Sequence, residues 1–128
     1  MEGTRTNLVC LIKNTKQKVL GSIAVELARD ATPTRHELRY VWRNKNIGLV
    51  SGLFVRSLSV RQHERGNGYG SFLLSEAKSF AQRELLPLYI DVHSVRMDLR
   101  KWLRSFGFAE SIFWHNSRET LMVRYRHY

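Results

Sequence analysis

The first sixty residues read as apolar, β-prone stretches separated by polar turn segments, and the pattern switches to a helical period near 3.6 after a glycine-rich break. Residues 7–13, NLVCLIK, are apolar and β-prone and predict a strand, with NTKQK as the turn behind it. Residues 18–28, KVLGSIAVELA, predict a second strand, and RDATPTRH (29–36) a loop. ELRYVWR (37–43) reads as a third strand and NKN (44–46) as a turn. IGLVSGLFVRSLSV (47–60) is a long apolar stretch that predicts a strand, with an irregularity near Gly52. From Tyr69 to about Glu84, Phe72, Leu73, Ala77, Phe80 and Ala81 recur at helical spacing. LPLYIDV (86–92) is a short strand. Residues 95–106 are helical, with Val95, Leu99, Trp102, Leu103 and Phe106 on one side and Gly107 at the end. ESIFWH and TLMVRYRH are two last strands around NSRE. The order β-β-β-β-α-β-α-β-β predicts an α+β fold, a mixed sheet of about seven strands with two main helices, in one domain over 1–128.

Composition narrows the class. Hydrophobic residues make up 43% of 128, enough for a buried core, so a disordered chain is not expected. No apolar run reaches the roughly 18 residues of a membrane span, and no membrane partner is expected. The start, MEGTRTNLVC, lacks the basic, apolar and small-residue order of a secretion signal. The single cysteine, Cys10, has no internal disulfide partner, and its apolar neighbours suggest a buried thiol in a strand. These features point to the cytoplasm. No metal site is expected. Charge changes the picture most. Lys and Arg number 21 against 11 Asp and Glu, a formal +10, and arginine outnumbers lysine 15 to 6. The guanidinium fork suits phosphate and carboxylate. The surface therefore suits an anionic partner (nucleic acid, a phosphorylated cofactor or an acidic protein) or is simply a solvated basic surface.

The break in periodicity is HERGNGYGSFLL, residues 63–74, with glycine at 66, 68 and 70 where a helix must start. Glycine costs a helix interior roughly 1 kcal/mol against alanine. A strand leads in and a helix leads out, so free amides and the helix dipole meet here, an arrangement that holds anions. A phosphate cradle accounts for the glycines better than a tight turn. A P-loop requires GxxxxGK[ST], but Ser71 follows Gly70 with no lysine. A dinucleotide fold requires GxGxxG with an acid ending the next strand. Here the spacing is GxGxG and Asp91 sits inside its strand.

Arg65-Gly66-Asn67-Gly68-Tyr69-Gly70 resembles the Q/R-x-x-G-x-G/A motif of the GNAT N-acetyltransferase superfamily, with Arg65, Gly68 and Gly70 in its fixed places. LFVRSLSV resembles the strand before that motif. LYIDV, the following helix and Phe106-Gly107-Phe108 resemble the family's next strand, next helix and GF ending, and VLGSIAVEL resembles its second strand. The resemblance covers about residues 8–126 and implies acetyl-CoA as cofactor. It sets acetyl-CoA in a cleft where the strands 53–60 and 88–93 splay apart. It gives the pyrophosphate to backbone amides of Arg65, Gly66, Asn67, Gly68, Tyr69, Gly70 and Ser71, and the pantetheine arm to backbone groups of Leu58, Ser59 and Val60. The Val60 amide would polarise the thioester carbonyl. An amine would attack directly, so Cys10 need not be a nucleophile.

Departures from the family's pattern matter. Its second helix reads N-x-x-A-x-x-L-Y-x-x-x-G-F, whereas Arg96, Leu99, Trp102 and Leu103 hold those places here. Leu103 cannot serve as the general acid that the tyrosine provides in many members. Ser94, His93 and Tyr125 are the candidate substitutes. The strand before the loop has no carboxylate, which leaves Glu26 and His63 as candidate bases, against exposed strand and loop positions as the plain readings. Only NTKQK separates the first two strands, where members carry helices that shape the acceptor pocket, so an open acceptor side is expected.

Arg96, Arg100 and Arg104 recur every four residues with Lys101 beside them. Like charges at that spacing repel slightly. The stripe is expected to touch nucleic acid, coenzyme phosphates or an acidic partner, or else to be a solvated face. The expected function is direct acetyl transfer to an amine of a macromolecular acceptor, a protein or a nucleic-acid-linked amine such as aminoacyl-tRNA, near RNA or DNA. The alternative is a non-catalytic module binding nucleic acid or protein through its basic surface. Apolar FW (113–114) and LMV (121–123) would allow a homodimer through the last strands.

Overall fold

In the computed structural model, which describes residues 7–31, 50–116 and 118–128, the first two apolar stretches become a hairpin. Strands β1 (Asn7–Lys13) and β2 (Val19–Ala31) run antiparallel. Asn14 closes the turn, its Oδ1 accepting the amides of Lys16 at 2.9 Å and Lys18 at 3.0 Å. That local bonding is what makes asparagine a turn former. The turn is too short for a helix, as expected.

β2 pairs antiparallel with β3 (Val50–Val60). The loop expected from residue 29 begins later, because Ala31 still pairs with Val50 and the ladder carries β2 through Arg29 and Asp30. The strand expected over 37–43, with Tyr40 and Trp42, and the turn over 44–46 lie outside the described residues. The irregularity expected near Gly52 is present between Ala28 and Ala31 of the facing strand. Gly52 also has a packing reason: a Cβ there would meet the Pro87 carbonyl and the Tyr89 ring, each at 2.8 Å.

After a short 3-10 turn (Gln62–Glu64) come α1 (Tyr69–Glu84), β4 (Leu88–His93), α2 (Met97–Ser105), β5 (Ala109–His115) and β6 (Leu121–His127). Gly107, at φ +94°, ends α2 as expected. Asn116 turns the last hairpin, its Oδ1 accepting the amides of Arg118 and Thr120. The described strands form a six-stranded mixed sheet in the order β1-β2-β3-β4-β6-β5, in which β3 and β4 are the parallel neighbours.

One face of the sheet carries both helices. Leu73, Leu74, Ala77 and Ala81 of α1 and Leu103 of α2 pack on Ile23, Val25, Leu53, Leu88, Ile90 and Val123. These spacings are the helical and two-residue periods seen in the sequence. Each large aliphatic side chain so buried contributes about 1.5–3 kcal/mol. Among the described residues no helix is long and apolar enough to cross a membrane.

Candidate functional site

β3 and β4 pair only over Leu53–Leu88 and Phe54–Tyr89, with the Leu53 amide donating to the Pro87 carbonyl at 3.0 Å. Beyond Phe54 the two part. β4 stays with β6 as far as His93, and β3 stays with β2 as far as Val60. A bulge helps them separate. Ala24 faces Ser57 and Val25 faces Val55, which leaves Arg56 as the extra residue.

The register then fixes where the backbone of β3 points. The Arg61 amide donates to the Leu20 carbonyl at 2.8 Å. That bond makes Gly21–Val60 a pair that exchanges no hydrogen bonds, and the alternation of an antiparallel ladder makes Ile23–Leu58 another. The amides of Leu58 and Val60 are thereby turned away from β2, into the gap left by β4.

A cleft of about 540 Å³ opens on this gap. Leu58, Ser59 and Val60 form one wall, Glu64, Arg65, Gly66 and Gly68 to Ser71 another, and Arg96 at the cap of α2 with Asp98, Leu99 and Trp102 the third. Gly66 lies at φ +90° and Gly68 at φ +79°, and a Cβ on either would meet nothing within 4 Å. Left-handed backbone therefore demands glycine at these two positions, and crowding does not. Gly68 caps α1 without a side-chain bond, and its carbonyl accepts the Phe72 amide at 2.9 Å. The amides of Tyr69, Gly70 and Ser71 thus have no partner within the helix. No acidic residue occupies the first turn. The positive end of the helix dipole faces the cleft with no carboxylate of the helix's own first turn against it, although Glu64 and Asp98 also line the cleft.

Arg65 lines the cleft and braces its floor, Nε donating to the Val60 carbonyl at 3.3 Å. Asn67 points back, Nδ2 donating to the Glu64 carbonyl at 3.1 Å, and so holds the turn rather than forming cleft wall. Tyr69 and Ser71 line the cleft.

The stripe on α2 divides. Arg96 stands at the cleft and pairs with Asp98 at 3.2 Å, which holds the Asp98 carboxyl below its ordinary range. Arg100 and Arg104 face the other way. Both donate to Glu110 Oε2, at 3.0 and 2.8 Å, and Arg100 also donates to the Ser94 carbonyl at 2.7 Å and to the Tyr125 hydroxyl at 3.1 Å.

The candidate proton carriers are not gathered at the cleft. His93 is exposed at the end of β4, and the Ser94 amide is spent on the Leu121 carbonyl at 2.9 Å. Tyr125 is fully buried and donates its hydroxyl to Glu110 at 2.7 Å. Burial first, then Glu110, pushes its pKa up. Glu26 accepts from Arg56 Nε at 3.0 Å and lines a separate cavity with Val9, Ala24 and Val25. His63 is exposed in the 3-10 turn. Leu103, in the place of the family's tyrosine, has no exposed surface. Burial pushes the Cys10 thiol up, away from thiolate. Sequence reasoning missed Trp102, Leu99, Asp98 and Glu64 as cleft residues. Trp102 and Leu99 did carry a signal, since the apolar stripe of α2 must cover something beside α1. The ring of Trp102 lies 3.8 Å from where a Gly70 Cβ would stand.

No protein-family model matches the chain, and no curated protein matches it by sequence. Solved structures do match. Arabidopsis thaliana NAA60 in complex with acetyl-CoA superposes with TM-score 0.68 at 12% identity, over 98% of this chain and 76% of that one. Chaetomium thermophilum Naa20 in complex with a bisubstrate analogue superposes with TM-score 0.70 at 14% identity, over 91% and 63%. A protein of Desulfovibrio desulfuricans described as a GNAT-family acetyltransferase superposes with TM-score 0.68 at 14% identity, over 94% and 68%. The fold of this chain is the GNAT acetyltransferase fold.

Proposed function

We propose that the protein is an acetyl-CoA-dependent N-acyltransferase that moves an acetyl group directly onto an amine of a macromolecular acceptor, protein or nucleic-acid-linked. One observation carries the reading: unpaired strand amides at Leu58 and Val60 open into the same cleft as a bare helix N-terminus. The donors fit the coenzyme's chemistry. Amides from Gly66 to Ser71 receive the pyrophosphate. The amides of Leu58 and Val60 act as a strand edge for the pantetheine arm, and the Val60 amide is the donor for the carbonyl oxygen. Bound acetyl-CoA supplies an activated acyl carbon. Arg65 keeps the turn against β3, and Trp102 and Leu99 exclude water from the apolar side. Leu103 gives no proton to the departing sulfur, which is tolerable because a thiol's pKa is about 8.5. Two copies pairing through β5, an edge strand that exposes Phe113, belong to the same reading, as does a cytoplasmic location, favoured by the free thiol of Cys10.

The test is calorimetric titration of acetyl-CoA into the protein and into Gly68→Trp. Affinity on the order of micromolar, lost in the variant, is expected. No binding to the unmodified protein would remove the reading.

A second reading, a non-catalytic module that binds nucleic acid or protein through its basic surface, is favoured by the burial of Leu103 and the absence of His93, Ser94 and Tyr125 from the cleft lining. In that case tRNA affinity falls steeply with salt, while acetyl transfer to tRNA, peptide and polyamine acceptors stays at background.

A further inference from the structure

Much of the arginine charge is answered within the fold. Arg124, with a side chain only 7% exposed, forks onto Asp91, Nε donating to Oδ1 at 2.8 Å and Nη2 to Oδ2 at 2.9 Å. Arg56 pairs with Glu26, Arg96 with Asp98, and Arg100 and Arg104 with Glu110.

One end of the sheet differs. Lys13 closes β1, Lys16 and Lys18 stand in the turn to β2, and Arg61 follows β3. The Arg61 amide bonds the Leu20 carbonyl, which sets Arg61 beside the start of β2 and so near Lys18. Lys13 faces Val19 across the β1–β2 ladder. All four cations are exposed, and among the described residues no carboxylate pairs with any of them. None of the four lines the 540 Å³ cleft, so the proposed coenzyme site does not use them. The turn that carries the lysines is fixed. The Asn14 amide donates to the Lys18 carbonyl at 3.0 Å and the Gln17 amide to the Asn14 carbonyl at 2.9 Å. Gathering like charges on a fixed turn works against the folded state through repulsion.

An aromatic ring stands at the same end. Leu73 Cδ1 lies 3.3 Å from where a Gly21 Cβ would stand, and Gly21 pairs with Ile12, the neighbour of Lys13. The first turn of α1 therefore covers this end of the hairpin. Phe72, beside Leu73, is 52% exposed. It sits one turn before Glu76, whose charge reaches Cys10, so this flank of α1 runs along β1 toward Lys13.

We infer that this end of the sheet binds single-stranded nucleic acid, with Lys13, Lys16, Lys18 and Arg61 on backbone phosphates and the Phe72 ring stacked on a base. A nucleic-acid strand offers flat π faces between its phosphates, which a ring set among cations matches, and an acidic polypeptide carries no such repeat. Phe72 and Val19 are exposed apolar side chains here, too few for the continuous apolar face that seats a protein in a bilayer. The patch borders the cleft, because Arg61 directly follows the cleft residue Val60. The inference names a class of macromolecule within the proposed acyl transfer and rests on that reading for the reaction, while the binding stands apart from it.

The experiment follows labelled oligouridylate of about 12 nucleotides, within ordinary single-strand site sizes, by fluorescence anisotropy without coenzyme as salt rises. The log–log slope of affinity against salt should be about −3, from four contacts at about −0.7 each. Lys13→Gln, Lys16→Gln and Lys18→Gln together should flatten that slope by about 2 and leave coenzyme A affinity within about twofold. Phe72→Leu, which keeps apolar bulk and removes the ring, should weaken oligouridylate binding by about fivefold or more and leave binding of poly-L-glutamate unchanged. Poly-L-glutamate of equal charge should bind the unmodified protein at least about tenfold more weakly than oligouridylate. Equal affinity for the two polyanions, a slope indifferent to the three lysines, or a Phe72→Leu variant that binds oligouridylate as the unmodified protein does would each overturn the assignment. Oligouridylate binding without coenzyme A binding removes the cofactor reading and supports this surface, and coenzyme A binding without oligouridylate binding does the reverse.

Discussion

Tyr125 donates a hydrogen bond from its hydroxyl to Glu110 across the β5–β6 ladder, at 2.7 Å, and the same carboxylate oxygen accepts from Arg100 and Arg104. The bond from Tyr125, then that from Arg100, holds the Glu110 carboxyl below its ordinary range. A carboxyl depressed in the fold contributes stability that is present above its unfolded pKa and is lost as pH falls through the lower folded value. Glu110→Gln should therefore melt below the unmodified protein at pH 7, and the difference should close as pH drops below about 4.3. Tyr125 is raised, so its contribution holds below about pH 10 and is lost above it. Thermal unfolding followed across pH checks both arms. A difference that persists unchanged at pH 3 would contradict the first.

Gly68 tests the left-handed turn. Its Cβ space is open, so Gly68→Ala should cost about 1 kcal/mol through backbone conformation alone. Gly68→Asn should recover part of that loss, because asparagine tolerates this region. Urea unfolding midpoints for the two variants give the comparison, and equal losses would point to a packing role.

Leu103 tests whether the missing tyrosine can simply be restored. The side chain is fully buried, so Leu103→Ala should cost about 2–5 kcal/mol. Leu103→Tyr should overpack the site by about 1–3 kcal/mol and should not raise turnover. A variant with Tyr at 103 that is both stable and faster would show that the position reaches the cleft.

Arg124 tests the buried pair. Arg124→Ala leaves Asp91 partly buried and unmatched, and should cost about 3 kcal/mol. Arg124→Lys should be intermediate, since an ammonium cannot supply the fork. Denaturant unfolding separates the three proteins, and an Ala variant as stable as the Lys variant would show that the fork does not matter.

The elements were legible where one period rules. Tyr69–Glu84 is the helix that the spacing of Phe72, Leu73, Ala77 and Ala81 predicts, and Asn7–Lys13 is the predicted strand. Boundaries slipped where a ladder overrode local composition, as at Arg29–Ala31, whose polar residues read as loop. The glycine-rich break was legible as a special segment between strand and helix, but a phosphate cradle in place of a tight turn was too narrow an expectation, since left-handed φ at Gly66 and Gly68 is itself a reason for glycine; of the residues named for the loop and β3, all but Asn67 line one cleft. The proton carriers were not legible. Whether Glu26, His93 or Tyr125 meets a substrate depends on which face of the sheet it takes and which arginine it pairs with, and neither follows from spacing. The stripe on α2 read as one surface, yet a carboxylate ten residues on, Glu110, claims two of its three arginines.

The bulge at Arg56 shifts the phase of β3 by one residue just where the strands part. What positions 58 and 60 turn toward the cleft is peptide, and every amino acid except proline offers the same peptide N–H. Recognition written in the path of the main chain does not register which side chains hang from it. A main chain that superposes on a neighbour at 12% identity places its donors by its own path alone, provided that the glycines keep the turn and the strands keep their divergence.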